Sequence, residues 1–198
     1  MSEGWTQGGN ARREEIFLRA YAGEGTRRAD VEPAATHTPE DLARCLDHTL
    51  LKPEATRDQI EQLCREAQQH RFAAVCVNPR YVPLCAQLLA GSEVAVCTVA
   101  GFPLGASDTE IKALEARRAV QLGATEVDMV LPVGALKGGR TDAVFRDVAA
   151  VRRETMGLAI LKVILECTLL TDAEKALAAR ICVDAGADFV KTSTGFAG

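Results

Sequence analysis

From about residue 38 onward, the chain alternates short, continuous apolar runs with amphipathic segments of helical period. Six strands are predicted, at "CLDHTLL", "FAAVCV", "EVAVCTVAGF", "TEVDMVL", "LAILKVILE" and "ADFVKT", and a helix is predicted after each of the first five. Because the runs are apolar nearly throughout, the strands are expected to be buried on both faces, as in a parallel sheet covered by helices. The pattern predicts an α/β fold, either a doubly wound open sheet or a (β/α)8 barrel.

Two helix starts carry residues at the spacing of a capping box. Ser107 precedes Glu110 by three positions, and Thr171 precedes Glu174 by the same interval. In such a pair the first side chain accepts a hydrogen bond from the backbone three residues on, and the second side chain bonds back to the first backbone N–H. The spacing therefore predicts helices that begin just after Ser107 and just after Thr171.

Composition narrows the classes of function. The chain has 198 residues, 47% of them hydrophobic, and a formal net charge of −4, which is typical of one soluble globular domain. The mild acidity gives no reason to expect nucleic acid or an anionic membrane as a partner. No apolar run approaches the ~20 residues of a membrane span, and the N-terminus lacks a secretory apolar region. No GxGxxG or GxxxxGK[ST] motif follows the first strand, which argues against a nucleotide-binding version of the fold. A cytoplasmic protein is expected.

Residues 1–37 differ in character from the rest of the chain. They are polar and rich in Gly, Arg and Glu, and only "EEIFLRAYAG" has the pattern of a short helix. We expect an N-terminal extension that is partly disordered or forms a surface helix, followed by a barrel domain over residues 38–198.

The metal-ligating residue types show no linear motif. There are seven cysteines, an odd number, with no CxxC pair, and the three histidines form no HxH or HxxxH cluster. Several cysteines lie inside apolar runs. We interpret most of them as small buried hydrophobes in a reducing compartment, and no metal site is expected.

Charged residues cluster near the carboxyl ends of the predicted strands. Asp128, Lys162 and Lys191 lie on three successive strands, and Asp47 lies on the first. In both candidate architectures these ends form the active face. A buried charge costs several kcal/mol unless it is paired, so the residues form either an ion-paired layer or a catalytic site. In the first alternative, a lysine merely pairs with Asp128 or Glu166.

The lysines suggest a specific chemistry. A lysine that is desolvated and lies near another cation is expected to have a lowered pKa, and its neutral amine can form a Schiff base with a carbonyl. An aspartate on a neighbouring strand can move protons through a water molecule. The "TSTG" turn after Lys191 offers N–H groups and hydroxyls to a phosphate, although taken alone it is more typical of an ordinary strand-to-helix loop.

Six segments, in order and at natural spacing, resemble those of deoxyribose-phosphate aldolases. They are "DHTLLKPEAT" (47–56), "VCVNPRYV" (75–82), "CTVAGFPLG" (97–105), "EVDMVLPVGALKGG" (126–139), "LKVILE" (161–166) and "VKTSTGF" (190–196). The resemblance covers about residues 39–198. It implies a class I aldolase on a (β/α)8 barrel, which interconverts 2-deoxyribose 5-phosphate with glyceraldehyde 3-phosphate and acetaldehyde without metal or organic cofactor.

The resemblance also implies roles for the charged residues. Lys191 corresponds to the lysine that forms the Schiff base, and Asp128 to the proton donor and acceptor. Lys162 corresponds to a neighbouring cation that tunes the site. Dimers are common in the family, so a homodimer is expected.

Four further positions match substrate-binding parts of the family pattern. Asp47 and Thr49 correspond to contacts with substrate hydroxyls, and Gly195 to part of the phosphate site. Cys76 corresponds to a cysteine near the substrate, which we interpret as non-essential; the alternative is a buried structural thiol.

The sequence departs from the family pattern after the sixth strand. A barrel of this class has eight strands and about 250 residues, and the family carries a second active-site lysine in a "KASGG"-like motif on the seventh. We hypothesise a truncated product or an incomplete record, with about six of eight βα units. Such a chain is expected to be unstable and weakly active or inactive. The alternatives are a catalytically impaired fragment and a different Schiff-base barrel aldolase.

Overall fold

Six parallel strands pair in the order of the sequence and form one sheet. The computed structural model describes residues 38–197, and the predicted N-terminal extension, residues 1–37, lies outside the described residues. The strands are β1 (Asp47–Leu50), β2 (Ala74–Val77), β3 (Ala95–Ala100), β4 (Glu126–Val130), β5 (Ile160–Ile164) and β6 (Phe189–Lys191). Each lies within one of the apolar runs, so the predicted strand positions are confirmed.

Helices precede the first strand and connect each strand to the next. They are α1 (Pro39–Ala43), α2 (Arg57–His70), α3 (Val82–Leu88), α4 (Thr109–Gln121), α5 (Val133–Lys137), α6 (Thr141–Thr155) and α7 (Asp172–Asp184). The short α5 was not predicted. Among the described residues, no helix has the length and apolar character that crossing a membrane requires.

The two predicted capping boxes have different outcomes. At α7, the Thr171 side chain accepts a hydrogen bond from the Glu174 N–H and the Glu174 carboxylate accepts one from the Thr171 N–H, as predicted. At α4, the prediction of Ser107 was wrong by one residue. The N-cap is Asp108, whose carboxylate accepts a hydrogen bond from the Glu110 N–H at 2.8 Å. Asp and Ser are about equally good N-cap residues. Of these two adjacent candidates, the second one caps the helix.

The two faces of the sheet bury different side chains. Outward-facing residues such as Val127 and Leu161 pack against helical residues in large aliphatic clusters. The inner face holds a small cluster instead, built on Ala74, Cys76, Cys97 and Val99. Because side chains alternate along a strand, the residues two positions before or after an inward-facing one share the inner face.

The sheet curls so that its first and last strands approach each other. Asp47 on β1 and Lys191 on β6 lie at opposite ends of the strand order, yet the Asp47 Oδ2 atom is 3.1 Å from the Lys191 Nζ atom. The strand order never reverses, which excludes the doubly wound sheet, where the order changes at a switch point. The prediction of an incomplete (β/α)8 barrel is confirmed: the described chain is a curled sheet of six parallel strands with helical connections.

Candidate active site

Two lysines and three carboxylates meet on the inner face of the sheet. The Lys191 Nζ atom lies 2.6 Å from Asp128 Oδ2 and 3.1 Å from Asp47 Oδ2. The Lys162 Nζ atom lies 2.6 Å from Glu126 Oε2, 2.7 Å from Asp47 Oδ2 and 3.4 Å from Asp128 Oδ1. We call Asp47, Glu126, Asp128, Lys162 and Lys191 the inner charged cluster. Its formation brings together the four charged residues that were predicted for the site.

Strand register explains why these side chains meet. Asp128 on β4 is the direct partner of Lys162 on β5, and Ile164, two residues further along β5, is the partner of Lys191 on β6. Lys162 and Lys191 therefore share one face, offset by two residues along neighbouring strands. The curl of the sheet brings a further member, Asp47, into contact with Lys191, which is 144 residues away in sequence.

Exposure distinguishes the two lysines. The Lys162 side chain is 8% exposed and bonds to three carboxylates, whereas the Lys191 side chain is 33% exposed. Its partner Asp128 is only 1% exposed. Lys191 is thus reachable from solvent, whereas Asp128, the nearer of its two carboxylate partners, is not. A partly exposed lysine in contact with a buried carboxylate suits a nucleophile with a neighbouring proton acceptor. Lys162, which is nearly buried among carboxylates, fits the alternative of a structural ion pair better than Lys191 does.

The expected direction of the Lys191 pKa was wrong. Burial opposes the charged form of Lys191, and the nearby Lys162 opposes it as well, but Asp128 and Asp47 outweigh both and raise the pKa above its ordinary value. The reason is geometric, since two carboxylates lie in direct contact with the ammonium. For Asp47, burial would raise the pKa of the carboxyl, but Lys162 and Lys191 outweigh it and hold that pKa below its ordinary value.

The raised pKa predicts how imine formation depends on pH. We expect the rate of acetaldehyde capture by Lys191 to rise with each unit of pH between about 7 and 10, because only the neutral amine attacks and its fraction grows roughly tenfold per unit below the pKa. The rate is measured by borohydride trapping at low acetaldehyde concentration, with N-acetyl-lysine amide as the reference amine. A plateau near neutral pH would show a lowered pKa and contradict the structure.

The remaining predicted residues are not members of the inner charged cluster. Thr49 is on the same face of β1 as Asp47, and its hydroxyl donates to the Asp47 carbonyl oxygen at 2.8 Å. Cys76 is 2% exposed and has its sulfur near the Cys97 sulfur and an Asp128 oxygen. Gly195 is exposed, with a φ of +80° that favours glycine.

The turn that contains Gly195 is fixed by a glutamate. Glu166 lies two residues beyond the end of β5. Its Oε2 atom accepts hydrogen bonds from the Thr194 N–H and the Thr194 hydroxyl. Glu166 is 3% exposed and has a φ of 57°, an uncommon conformation for a side-chain-bearing residue. Among residues 38–197 Glu166 pairs with this turn and with no lysine, so the Glu166 half of the ion-pair alternative was wrong. The other half, a lysine paired with Asp128, is present in the structure. The Thr194 N–H, one of the donors expected for a phosphate, bonds to this carboxylate.

Sequence reasoning missed two residues of the site. Glu126 lies two positions before Asp128 and so shares its face, a signal that alternation along β4 already carried. Cys97 is the register partner of Cys76, and its Sγ atom lies 3.3 Å from Asp128 Oδ1. Burial raises the pKa of the Cys97 thiol well above its ordinary value. Cys97 could not be placed beside Asp128 from linear spacing, because the contact joins two different strands.

Comparison with known proteins gives consistent matches. A family model described as DeoC/LacD family aldolase matches residues 42–198. The chain is 58% identical over 156 residues to the deoxyribose-phosphate aldolase of Brevibacillus brevis, an alignment that covers 79% of this chain and 70% of that protein. It is 57% identical over 159 residues to deoxyribose-phosphate aldolase 1 of Bacillus licheniformis, covering 80% of this chain and 71% of that one.

A solved structure has the same architecture. The tetrameric deoxyribose phosphate aldolase from Aeropyrum pernix aligns with a TM-score of 0.76 at 38% identity, over 81% of this chain and 67% of that one. All five residues of the inner charged cluster fall within the residues that the family model matches.

Proposed function

The chain belongs to the DeoC/LacD aldolase family, and from this membership we propose that it cleaves 2-deoxy-D-ribose 5-phosphate to D-glyceraldehyde 3-phosphate and acetaldehyde. The proposed reaction proceeds through a Schiff base on Lys191 and serves deoxyribose phosphate catabolism. One observation carries the proposal: a partly exposed lysine on the inner face contacts a buried aspartate at 2.6 Å.

The first half of the proposed reaction makes the imine. The Lys191 amine attacks the aldehyde carbon of the open-chain sugar, and loss of water leaves an iminium ion. Asp128 Oδ2 is the atom placed to take the proton that Lys191 must lose before it attacks. Asp47, the other carboxylate at the Lys191 ammonium, helps to hold the side chain in place.

The second half breaks the carbon–carbon bond. The C3 hydroxyl loses its proton, C3 becomes the aldehyde carbon of glyceraldehyde 3-phosphate, and the electron pair of the C2–C3 bond flows to the iminium to give an enamine. Protonation of the enamine carbon and hydrolysis then release acetaldehyde and regenerate the amine. In this proposal Asp128 exchanges these protons through a water molecule.

The supporting groups act by binding and electrostatics. Lys162 holds Asp47 and Asp128 in place and contributes positive charge beside the reacting nitrogen. We propose substrate-hydroxyl contacts at Asp47 and Thr49, a phosphate contact at Gly195, and a position near the substrate for Cys76. No cofactor is part of the proposed reaction.

Schiff-base trapping tests the proposed function. The purified chain is incubated with acetaldehyde, reduced with borohydride and digested, and the modified peptide is identified by mass spectrometry. We expect a single N-ethyl adduct, on Lys191. Adducts spread over many lysines, or no adduct, would contradict the proposal. A Lys191 adduct without cleavage of deoxyribose 5-phosphate would support the alternative of a catalytically impaired chain.

Asp128 gives a second, independent prediction. We expect Asp128→Asn to lower the rate of deoxyribose 5-phosphate cleavage by about 10²–10⁴-fold, because an amide cannot exchange the protons that the reaction moves. The rate is measured by coupling glyceraldehyde 3-phosphate to a dehydrogenase.

The matched control is Glu126→Gln, two residues away on the same face of β4. Glu126 contacts Lys162 and makes no ion pair with Lys191, so its loss is expected to cost much less activity. Equal losses in the two variants would show that the cluster acts only as a structural ion-pair layer.

Quaternary structure and cellular location stay predictions. A homodimer is expected from the family resemblance, and the Aeropyrum pernix protein is tetrameric. Light scattering of the purified chain distinguishes the two assemblies. A cytoplasmic location is likewise proposed.

A further inference from the structure

Two buried thiols lie beside the inner charged cluster, and the proposed reaction does not use their chemistry. Cys76 on β2 and Cys97 on β3 are direct register partners, with exposures of 2% and 0%. One sulfur from each and a carboxylate oxygen of Asp128 all lie within 4.8 Å of one another. Two sulfurs and one oxygen thus converge from three neighbouring strands.

These spacings are close to those of a tetrahedral metal site. Zn²⁺ binds thiolate sulfur at about 2.3 Å and carboxylate oxygen at about 2.0–2.2 Å, so two tetrahedral ligands are about 3.6 Å apart for S and O, and about 3.8 Å for two sulfurs. The distance from Cys97 Sγ to Asp128 Oδ1 is 3.3 Å. Side-chain rotations that move each donor atom by about an ångström or less would therefore bring the three donors onto one cation.

A divalent cation that replaces two thiol protons leaves the net charge of this group of residues unchanged. Asp47, Cys97 and Glu126 form a second group whose donor atoms lie within 4.8 Å of one another, but Lys162 already pairs with both of these carboxylates. The two oxygens of Asp128 face different neighbours: Oδ2 contacts Lys191, and Oδ1 faces Cys97 and Lys162. A cation beside Oδ1 therefore leaves the Lys191 contact in place. We expect Lys162 to give up its 3.4 Å contact with Oδ1 and to keep its shorter contacts with Asp47 and Glu126.

We infer that Cys76, Cys97 and Asp128 form an inhibitory binding site for a thiophilic divalent cation such as Zn²⁺ or Cd²⁺. Thiolate ligands select such metals over Mg²⁺ and Ca²⁺. Each thiol gives up its proton to solvent as its sulfur bonds to the metal, so one bound cation releases two protons. A water molecule completes the tetrahedron.

The inhibitory effect rests on the proposed function, whereas the binding itself does not. A cation bonded to Asp128 Oδ1 withdraws charge from the carboxylate that takes the Lys191 proton, and it fixes that side chain in place. Proton transfer to and from the substrate is thereby blocked. The bound cation takes no part in the chemistry itself, since the proposed reaction requires no metal.

Cadmium titration tests the inference directly. All variants carry Cys45→Ser, because Cys45 is exposed and would bind the metal on its own. Cd²⁺ is added to the full chain, and the sulfur-to-cadmium charge-transfer absorption is recorded in the ultraviolet, with Zn²⁺ as the competitor. We expect saturation at one equivalent. Cys97→Ala is expected to lower the Cd²⁺ affinity by more than about 100-fold, because even loss of an outer-shell partner costs 10–100-fold.

The matched control is Cys85→Ala. Cys64 and Cys85 form another close thiol pair, between α2 and α3, but among the described residues neither belongs to a group of three ligand atoms. We expect this variant to bind Cd²⁺ like the parent. An unchanged affinity in Cys97→Ala, or no saturable absorption in the parent, would overturn the inference. Cys76→Ala serves as a second variant if Cys97→Ala does not fold.

The outcome is separable from that of the proposed function. Imine formation on Lys191 without Cd²⁺ binding would overturn this inference alone. Cd²⁺ binding without imine formation would overturn the proposed reaction alone. If both hold, Cd²⁺ is expected to inhibit cleavage of deoxyribose 5-phosphate in the parent and in Cys85→Ala, at a concentration that matches its binding.

Discussion

Replacement of Lys191 by arginine is expected to abolish acetaldehyde capture and to lower the rate of deoxyribose 5-phosphate cleavage by at least about 10⁴-fold, the scale of loss when a covalent nucleophile is removed. Arginine keeps the positive charge that pairs with Asp128 and Asp47, but its guanidinium stays protonated and forms no imine. Both the adduct and the cleavage rate are measured on the same preparation.

Lys162→Arg is the matched control for this variant. Lys162 is the other lysine of the inner charged cluster, and it shares Asp47 and Asp128 as partners with Lys191. We expect Lys162→Arg to retain the adduct on Lys191 and to cleave more slowly than the parent. Transfer of the adduct to Lys162, or retained cleavage in Lys191→Arg, would show that the nucleophile has been assigned to the wrong lysine.

Replacement of Lys112 by methionine is expected to lower the free energy of unfolding by about 3–5 kcal/mol, the cost of leaving one member of a buried ion pair alone. Lys112 on α4 is 0% exposed, and its Nζ atom lies 2.8 Å from Asp147 Oδ2 on α6 and 3.0 Å from the Val130 carbonyl oxygen. The pair joins two helices to the end of β4. Loss of stability is measured by urea denaturation.

Two comparisons make this prediction specific. The double variant Lys112→Met with Asp147→Leu is expected to recover much of the lost stability, because it removes the orphaned charge as well. Lys175→Met, which breaks an exposed pair with Asp172, is expected to leave the free energy of unfolding nearly unchanged, because solvent screens the pair. Similar losses for Lys112→Met and Lys175→Met would mean that the buried pair contributes no more than a surface one.

Local sequence was sufficient wherever the controlling interactions are short in range. The capping box at Thr171 predicted the start of α7, since both hydrogen bonds lie within three residues. It was insufficient at α4, where Ser107 and Asp108 are adjacent and both can cap. Both residue types are good N-caps, so the local sequence does not determine which of the two precedes the first residue of the helix.

The buried lysine shows a second limit. Lys112 lies in a segment with the period of an amphipathic helix, where a lysine is ordinarily a surface residue. Its carboxylate partner, Asp147, is on another helix 35 residues away. No local pattern reports such a pair, because its stability depends on how the helices pack.

The sequence by itself determined the α/β class, the positions of all six strands, and the candidacy of Lys191 and Asp128, because apolar runs and charges within them are visible in linear order. The tertiary structure alone decided which charges meet. The curl of the sheet places Asp47 against Lys191, and strand register places Cys97 beside Asp128. It also reversed the expected direction of the Lys191 pKa. That direction depends on the balance between burial and two carboxylates in contact, and these distances exist only in the folded chain.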